Sequence, residues 1–408
     1  MNELNNNLNV NIASAKIVIG LGFGDEGKGL TTSFLSSLTG SPIVIRSNGG
    51  HQAGHTVVHE GNRHVFSNFG SGTLQGVPTY WNEQCTFSPL GVLNEYNALR
   101  KIQNINPRLF VHPLCPVTTP YDRLFNCHLD KANQHGSCGV GFGATLQRQE
   151  DFYKLFVQDL YHEKILIQKL KGIRNYYSKK FGIEPHLFDN AFNIKIDDFL
   201  YIVNEVKDII IKNVTDGSHI AGNYIPIFEG AQGVLLDQDF GFFPNVTRSN
   251  TTTKNPIETY KKLFKIDDNR FGGLSTFQQI ETFYVTRTYQ TRHGNGFMSN
   301  EEYAGELNLK NNELETNVTN EFQGNFKKTV LDLDLLDYAL VCDKNFSSGI
   351  KKNLVITCVD QTGERIKVTQ DGKLQEIDID ALSKRLDCAF SNVYISRGDS
   401  FKDITLLK

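Results

Sequence analysis

Residues 22–29 of this 408-residue chain read Gly-Phe-Gly-Asp-Glu-Gly-Lys-Gly, a glycine-rich loop that carries a lysine and, within the same turn, a carboxylate. Glycines let a backbone close on a ligand, and free N–H groups at a helix start together with an ammonium make phosphate the natural guest. Two partial patterns compete here. Gly22, Gly24 and Gly27 satisfy the dinucleotide fingerprint GxGxxG, but that turn wants no internal lysine. Gly22 to Lys28 satisfies the start of a Walker loop, yet Gly29 stands where that loop needs a Ser or Thr to hold magnesium. Asp25 is the replacement on offer: a carboxylate inside the loop can ligate Mg²⁺, and can remove a proton from a substrate base beside it.

A second constellation follows at Gly49-Gly-His-Gln-Ala-Gly-His-Thr56. A lone loop histidine is most often a solvated surface residue. Two in a glycine-rich turn, one strand away from a phosphate loop, are better explained as part of a site.

The elements that must position these loops can be read from apolar spacing. Residues 16–20 and 42–46 are β-branched runs with the length of buried strands, and 30–38 has the mixture of a helix. Both loops therefore follow strands, the first at a strand-to-helix turn. Strand signals recur at 224–228 and at 354–357, which leads into Asp360. Residues 150–215 carry few glycines and show helical spacing, as at Phe152, Leu155, Phe156 and Leu160, which predicts a helical insertion. The polar stretch 311–328 predicts a loop, and 331–340 an amphipathic helix. The fold class is α/β: a mainly parallel central sheet with a P-loop-like GDEGKG turn, flanking helices and the insertion, with sites at the carboxyl ends of the strands. No internal repeat or low-complexity linker divides the chain, so 1–408 is expected to be one domain, with 1–14 a polar, Asn-rich tail.

With GDEGKG and GGHQAGHTV in that order, the chain resembles the adenylosuccinate synthetase family. Phe228-Glu-Gly-Ala-Gln-Gly233 and Phe243-Pro-Asn-Val-Thr-Arg-Ser-Asn-Thr-Thr252 are similar to the family's FEGAQG and YPxVTSSNTT segments. Thr291-Arg-His-Gly-Asn-Gly296 resembles its TRVGxGP turn, Thr357-Cys-Val-Asp360 its TKxD, and Ile395-Ser-Arg-Gly398 its STGP. The resemblance spans roughly residues 16–400. It implies a GTP-dependent ligase that joins IMP to L-aspartate through a 6-phosphoryl purine, with Mg²⁺ as cofactor and a homodimer.

Activating a purine 6-oxo group by phosphorylation needs a base at N1 and stabilisation of the transferred phosphoryl. The resemblance assigns the first task to Asp25, which also touches the metal, and the second to His55, with Lys28 neutralising phosphate and the Gly54 carbonyl on Mg²⁺. GTP would further meet Gly24, Glu26, Gly27, Gly29, Thr56, Asp360, Ser396 and Gly398. Asp360 could accept from guanine N1–H and N2–H₂ together, which adenine cannot offer; alone it could equally open the turn that follows. IMP would meet Gln52, Ser137, Cys138, Gln232 and Thr247.

Some positions depart from the family. Cys358 replaces the lysine of TKxD, and the arginine-dense loop expected to grip aspartate is represented by Asn320-Glu-Phe-Gln-Gly-Asn-Phe-Lys-Lys328, where only Lys327 and Lys328 are cationic. Lysine lacks the bidentate fork of arginine, so recognition of a dicarboxylate must be arranged differently. Arg148 is displaced from the place of the arginine that a neighbouring subunit inserts. Two other readings stay open. One is a paralogous ligase acting on dGMP or another amine; in phage-type enzymes of that kind a small hydroxyl residue commonly replaces the loop carboxylate, which Asp25 speaks against. The other is a non-catalytic nucleotide binder, which would not need Asp25, Lys28, His55 and Gln232 together.

Composition sets limits consistent with this. Net charge is −3, so no basic surface advertises nucleic acid or an anionic membrane. No apolar run reaches the roughly 18 residues of a membrane helix. Seven cysteines without a CxxC pair argue against both a disulfide framework and a structural zinc, and make a reducing cytoplasm the expected setting.

Overall fold

The computed structural model describes residues 14–133, 139–210, 215–266, 279–311 and 326–407. Its strands in chain order are β1 (Ala15–Gly20), β2 (Pro42–Arg46), β3 (His55–His59), β4 (Asn62–Phe66), β5 (Thr79–Trp81), β6 (Leu109–Val111), β7 (Ile225–Gly233) and β8 (Ile280–Arg287). There follow β9 (Tyr289–His293), β10 (Phe326–Asp332), β11 (Lys351–Thr357), β12 (Arg365–Gln370), β13 (Lys373–Asp378), β14 (Asn392–Ser396) and β15 (Ile404–Leu406). Nine of them form one sheet in the order β15-β14-β11-β8-β1-β7-β2-β5-β6, parallel throughout except for the antiparallel edge β15.

β1 lies at the centre because it is apolar on both faces. Ile17 and Ile19 join one core cluster, whereas Val18 faces Leu35 of the helix Lys28–Leu38 on the other side. That two-sided burial is what a parallel strand flanked by helices requires. The strands from the first part of the chain extend from β1 through β7, and the later ones through β8. The turn after β1 therefore opens at the reversal of strand order, where parallel sheets form their binding crevice.

Helices Phe142–Glu150, Glu163–Phe181, Pro185–Ala191 and Ile196–Ile210 build the insertion, and the last three pack on a second apolar core that they share with residues of β3 to β6 and of the helix Pro89–Leu99. The spacing of Phe152, Leu155, Phe156 and Leu160 is not helical as expected. The helix before it ends at Glu150, Phe152 turns left-handed at φ 68° and is exposed, and only Val157–Tyr161 coils, as a short 3₁₀ turn.

The later polar stretch also differs from expectation. Residues 326–328 are not loop but the start of β10, paired antiparallel with β9 in a four-strand sheet ordered β13-β12-β10-β9. The strand continues to Asp332, whose carboxylate accepts from the amides of Asp334 and Leu335 and starts the helix Leu333–Asp343 there, rather than at 331. The expected polar tail, 1–14, lies outside the described residues apart from Ser14.

Candidate active site

The phosphate loop follows β1 and feeds directly into the helix Lys28–Leu38, whose N-cap is Gly27 at φ 99°. Only glycine adopts that conformation without strain, and a side chain there would also meet Thr357 of β11. Glu26 turns away from the ligand side. Its Oε1 accepts from the amides of Gly22 and Gly24, and its Oε2 lies 2.8 Å from Lys28 Nζ. Burial disfavours its anion, yet Lys28 and these amides hold its carboxyl below the usual range. Expected as a GTP contact, the Glu26 side chain is thus an internal brace of the loop.

A cleft of about 330 Å³ opens over this turn. Its walls bring together Gly24, Asp25, Gly27, Lys28 and Gly29 of the loop, Gly54, His55 and Thr56 of the second motif, and Asp360 and Gly398 from the far end of the chain. Arg63, Arg287, Thr357, Cys358, Gln361 and Asp399 complete the lining. Lys28 Nζ also donates to the Gly24 carbonyl at 2.6 Å, so two of the three ammonium hydrogens hold the loop and a third remains for an anion.

Gly29 explains the absent hydroxyl. A β-carbon at this position would stand 2.7 Å from the His55 Cβ and 3.1 Å from Ser71 Oγ. The volume that a Ser or Thr would fill is occupied by the catalytic histidine expected from the second motif.

His55 is buried, with Nδ1 2.8 Å from Glu229 Oε1, while Nε2 has no hydrogen-bond partner among the described residues. Glu229 in turn accepts from the Ser71 hydroxyl and amide, and lies 3.8 Å from the buried guanidinium of Arg46. Burial pushes the His55 pKa below its ordinary value in spite of Glu229. For Glu229 burial acts upward, but His55, Arg46 and Ser71 together hold it low. Nδ1–H donates to Glu229, and Nε2 is the nitrogen left for a ligand.

Asp25 is fixed from two sides. Its backbone carbonyl accepts from Arg287 Nε, and its Oδ2 lies 3.4 Å from His293 Nε2. Burial raises its carboxyl pKa, with His293, Arg287 and Lys28 opposing. A carboxylate moved up in this way is a stronger base near neutral pH. Asp360, in the first turn of the short helix Val359–Thr362, is likewise raised by burial and then by Asp399 and Asp403.

Asp25 and Gly54 offer a carboxylate and a carbonyl to the same cleft. Among the described residues no three His, Cys, Asp or Glu side chains form a metal cage. One carboxylate plus phosphate oxygens and water is how Mg²⁺ is commonly held, so these hard donors fit that ion.

Other expected contacts lie apart from the cleft lining. Ser396 is buried and donates to the Gly398 carbonyl at 2.7 Å. The Gln232 carboxamide lies beside Gly24, the Gln52 side chain beside Gly49 and Gly50, and the Thr247 amide donates to the Leu236 carbonyl. Ser137 and Cys138 lie outside the described residues. Lys327 is paired at 2.8 Å with Glu301, and Lys328 lies 5.5 Å from the Phe326 ring centroid, both within β10 rather than a binding loop. Arg148 is fully buried against Asp122 at 2.7 Å, a structural ion pair. Glu229, Arg287 and His293 were not among the expected site residues. Glu229 and His293 sat inside motifs already singled out, but neither motif says which partner its side chain meets.

The profile of the family described as adenylosuccinate synthetase matches residues 17–387. The adenylosuccinate synthetase of Buchnera aphidicola subsp. Schizaphis graminum is 35% identical over 299 residues, covering 71% of this chain and 64% of that protein. That of Neisseria gonorrhoeae FA 1090 is 32% identical over 255 residues, covering 59% and 56%. The matched region is thus a little over half to just under two thirds of these relatives' length. Among solved structures, fully ligated adenylosuccinate synthetase from Plasmodium falciparum overlays with a TM-score of 0.70 at 18% identity, covering 97% of this chain and all of that one. The succinoaminodeoxyadenylate synthetase of cyanophage S-2L, bound to dGMP and to dATP as energy donor, overlays at 0.60 and 16%, covering 97% and 95%. At such identities the two structures speak for the fold.

Proposed function

This chain belongs to the adenylosuccinate synthetase family, and on that premise we propose that it is a GTP-dependent ligase condensing IMP with L-aspartate to adenylosuccinate. The observation that carries the proposal is the single cleft in which Asp25, Lys28, the Glu229-oriented His55 and Asp360 meet. A nucleotide binder needs the glycines and Lys28, but gains nothing from a raised carboxylate and an oriented imidazole beside them.

In this reading Asp25 takes the N1 proton of the 6-oxopurine, which places negative charge on O6. O6 then attacks the γ-phosphorus of GTP, and the bond to the bridging oxygen breaks as GDP leaves. Lys28 and the amides at the start of the helix Lys28–Leu38 stabilise the phosphate oxygens. His55 presents Nε2 to the transferred group. As the polyanion approaches, a proton taken up from solvent at Nε2 is stabilised by Glu229 on the other nitrogen, giving a hydrogen bond that strengthens as charge develops. Bound Mg²⁺, held by Asp25 and the Gly54 carbonyl, would neutralise phosphate charge. The amine of aspartate finally displaces phosphate from C6. Asp360 supports guanine as the donor base, accepting two N–H groups.

The overlay on the phage synthetase bound to dGMP supports a second reading, a paralogous ligase acting on a guanine nucleotide. Purified protein with GTP, Mg²⁺ and aspartate, offered IMP or dGMP in turn, separates the two. Phosphate release and a succinylated product with IMP, lost in Asp25→Asn, are expected. Turnover with dGMP alone would move the assignment to the second reading. Replacing aspartate by other amines tests the amine donor, and a homodimer, carried over from the family resemblance, is tested by sedimentation.

A further inference from the structure

The last residue of β9 touches Asp25, and the proposed chemistry has not used it. His293 Nε2 is 3.4 Å from Asp25 Oδ2, whereas its Nδ1 is buried without a hydrogen-bond partner among the described residues. The imidazole is not loose. It packs on Phe326, its cross-strand partner in β10, with ring centroids 4.6 Å apart. His293 does not line the cleft, while Asp25 does. Asp25 is therefore in contact with both the cleft and the imidazole.

We propose that His293 is a positioning residue for Asp25: an Nε2–H hydrogen bond to Oδ2 holds the carboxylate in one rotamer and leaves Oδ1 as the free oxygen. This inference rests on the ligase reading given above. Three features of the geometry support it. Asp25 lies in a loop whose other carboxylate, Glu26, is turned inward, so no side chain of the loop itself restrains the Asp25 side chain. The Asp25 backbone is anchored by Arg287, the end of β8, and the side chain by His293, the end of β9; the two strands are separated by one residue, Thr288. A short rigid segment therefore sets both ends of the base. A half-buried carboxylate is also steadied by a donor, and the His293 Nε2 at 3.4 Å stands where it can supply one. A general base must reach its proton within hydrogen-bond distance, and a displacement of about 1 Å costs on the order of 10²-fold in rate.

The test uses His293→Val, His293→Gln and His293→Asn in the IMP-dependent phosphate-release assay, with GTP affinity and thermal melting recorded for each. Glutamine can place an amide donor near the position of Nε2; asparagine reaches only to that of Nδ1. The valine variant is expected to lose on the order of 10²-fold in kcat with KM for GTP nearly unchanged, and glutamine to restore most of it while asparagine does not. Should the valine variant fail to fold, the glutamine and asparagine variants decide alone: at least tenfold higher kcat for glutamine is the expected result. Wild-type kcat in the valine variant, or equal kcat for glutamine and asparagine, overturns the inference while leaving the ligase reading intact. An inactive wild-type protein with intact GTP binding overturns both.

Discussion

Glu229 decides which nitrogen of His55 faces the cleft. Because a carboxylate only accepts, Nδ1 must carry the hydrogen at 2.8 Å, and Nε2 is left for the phosphoryl group. Glu229→Gln removes that constraint, since the amide can donate to Nδ1 and favour the other tautomer, and it removes the charge that stabilises an imidazolium. Steady-state kinetics should show kcat falling by about 10²–10⁴-fold, with KM for GTP little changed; a kcat equal to wild type would mean that His55 needs no such partner. Asp25, Lys28 and His55 were legible in the sequence because each lies in a local glycine-rich signature that few other chemistries require. Glu229 lies 174 residues from His55, and the contact of His293 with Asp25 likewise depends on the folded sheet. Local spacing carries no trace of either.

Two elements approach so closely at Gly29 that the loop's missing hydroxyl becomes a packing requirement. The start of the helix Lys28–Leu38 and the start of β3 leave no room for a β-carbon there, because His55 Cβ would be 2.7 Å away. Gly29→Ser, which would complete an ordinary Walker loop, should instead push β3 and His55 outward. Phosphate release should fall by on the order of 10²-fold and the melting temperature should drop, since a β-carbon contact this short must be relieved by backbone shifts. An active, equally stable serine variant would show that the two elements can separate freely. Strands at 16–20 and 42–46 were legible because apolar β-branched runs between turns have few alternatives. The pairing of β9 with β10 was not. Its second strand begins Phe-Lys-Lys after a polar, Asn-rich stretch, and its strand character comes from pairing with β9 rather than from its own propensity. The following helix starts two residues later than its spacing predicts because the Asp332 cap outweighs the apolar pattern that begins at Leu331.

At the scale of the molecule, a doubly covered parallel sheet buries titratable groups along with its apolar core, and this gives stability a direction with pH. Burial lowers the pKa of His51, His55, His112 and His219. Below the ordinary histidine value of about 6.5 the unfolded chain binds protons that the folded chain refuses, so their contribution to stability is lost as pH falls through that window. Asp25, Asp343 and Asp360, raised by burial, act in the opposite sense. Thermal melts should show His51→Gln losing less stability than wild type between about pH 7 and pH 5.5; an equal or steeper loss would contradict the sign. The sheet itself was legible as a class, because strand, glycine turn and helix recur along the chain. The strand order, which sets the loop after β1 against residues beyond 350, was not, since no local pattern encodes which strands become neighbours.

In the proposed reaction the γ-phosphoryl group of GTP passes to O6 of the purine, not to water. This transfer is tested most directly with IMP labelled with ¹⁸O at O6, in the presence of GTP, Mg²⁺ and aspartate, by mass spectrometry of the phosphate released. The label is predicted to leave the purine and appear in phosphate, one atom per turnover. Unlabelled phosphate, with the isotope retained in the nucleotide, would contradict the account.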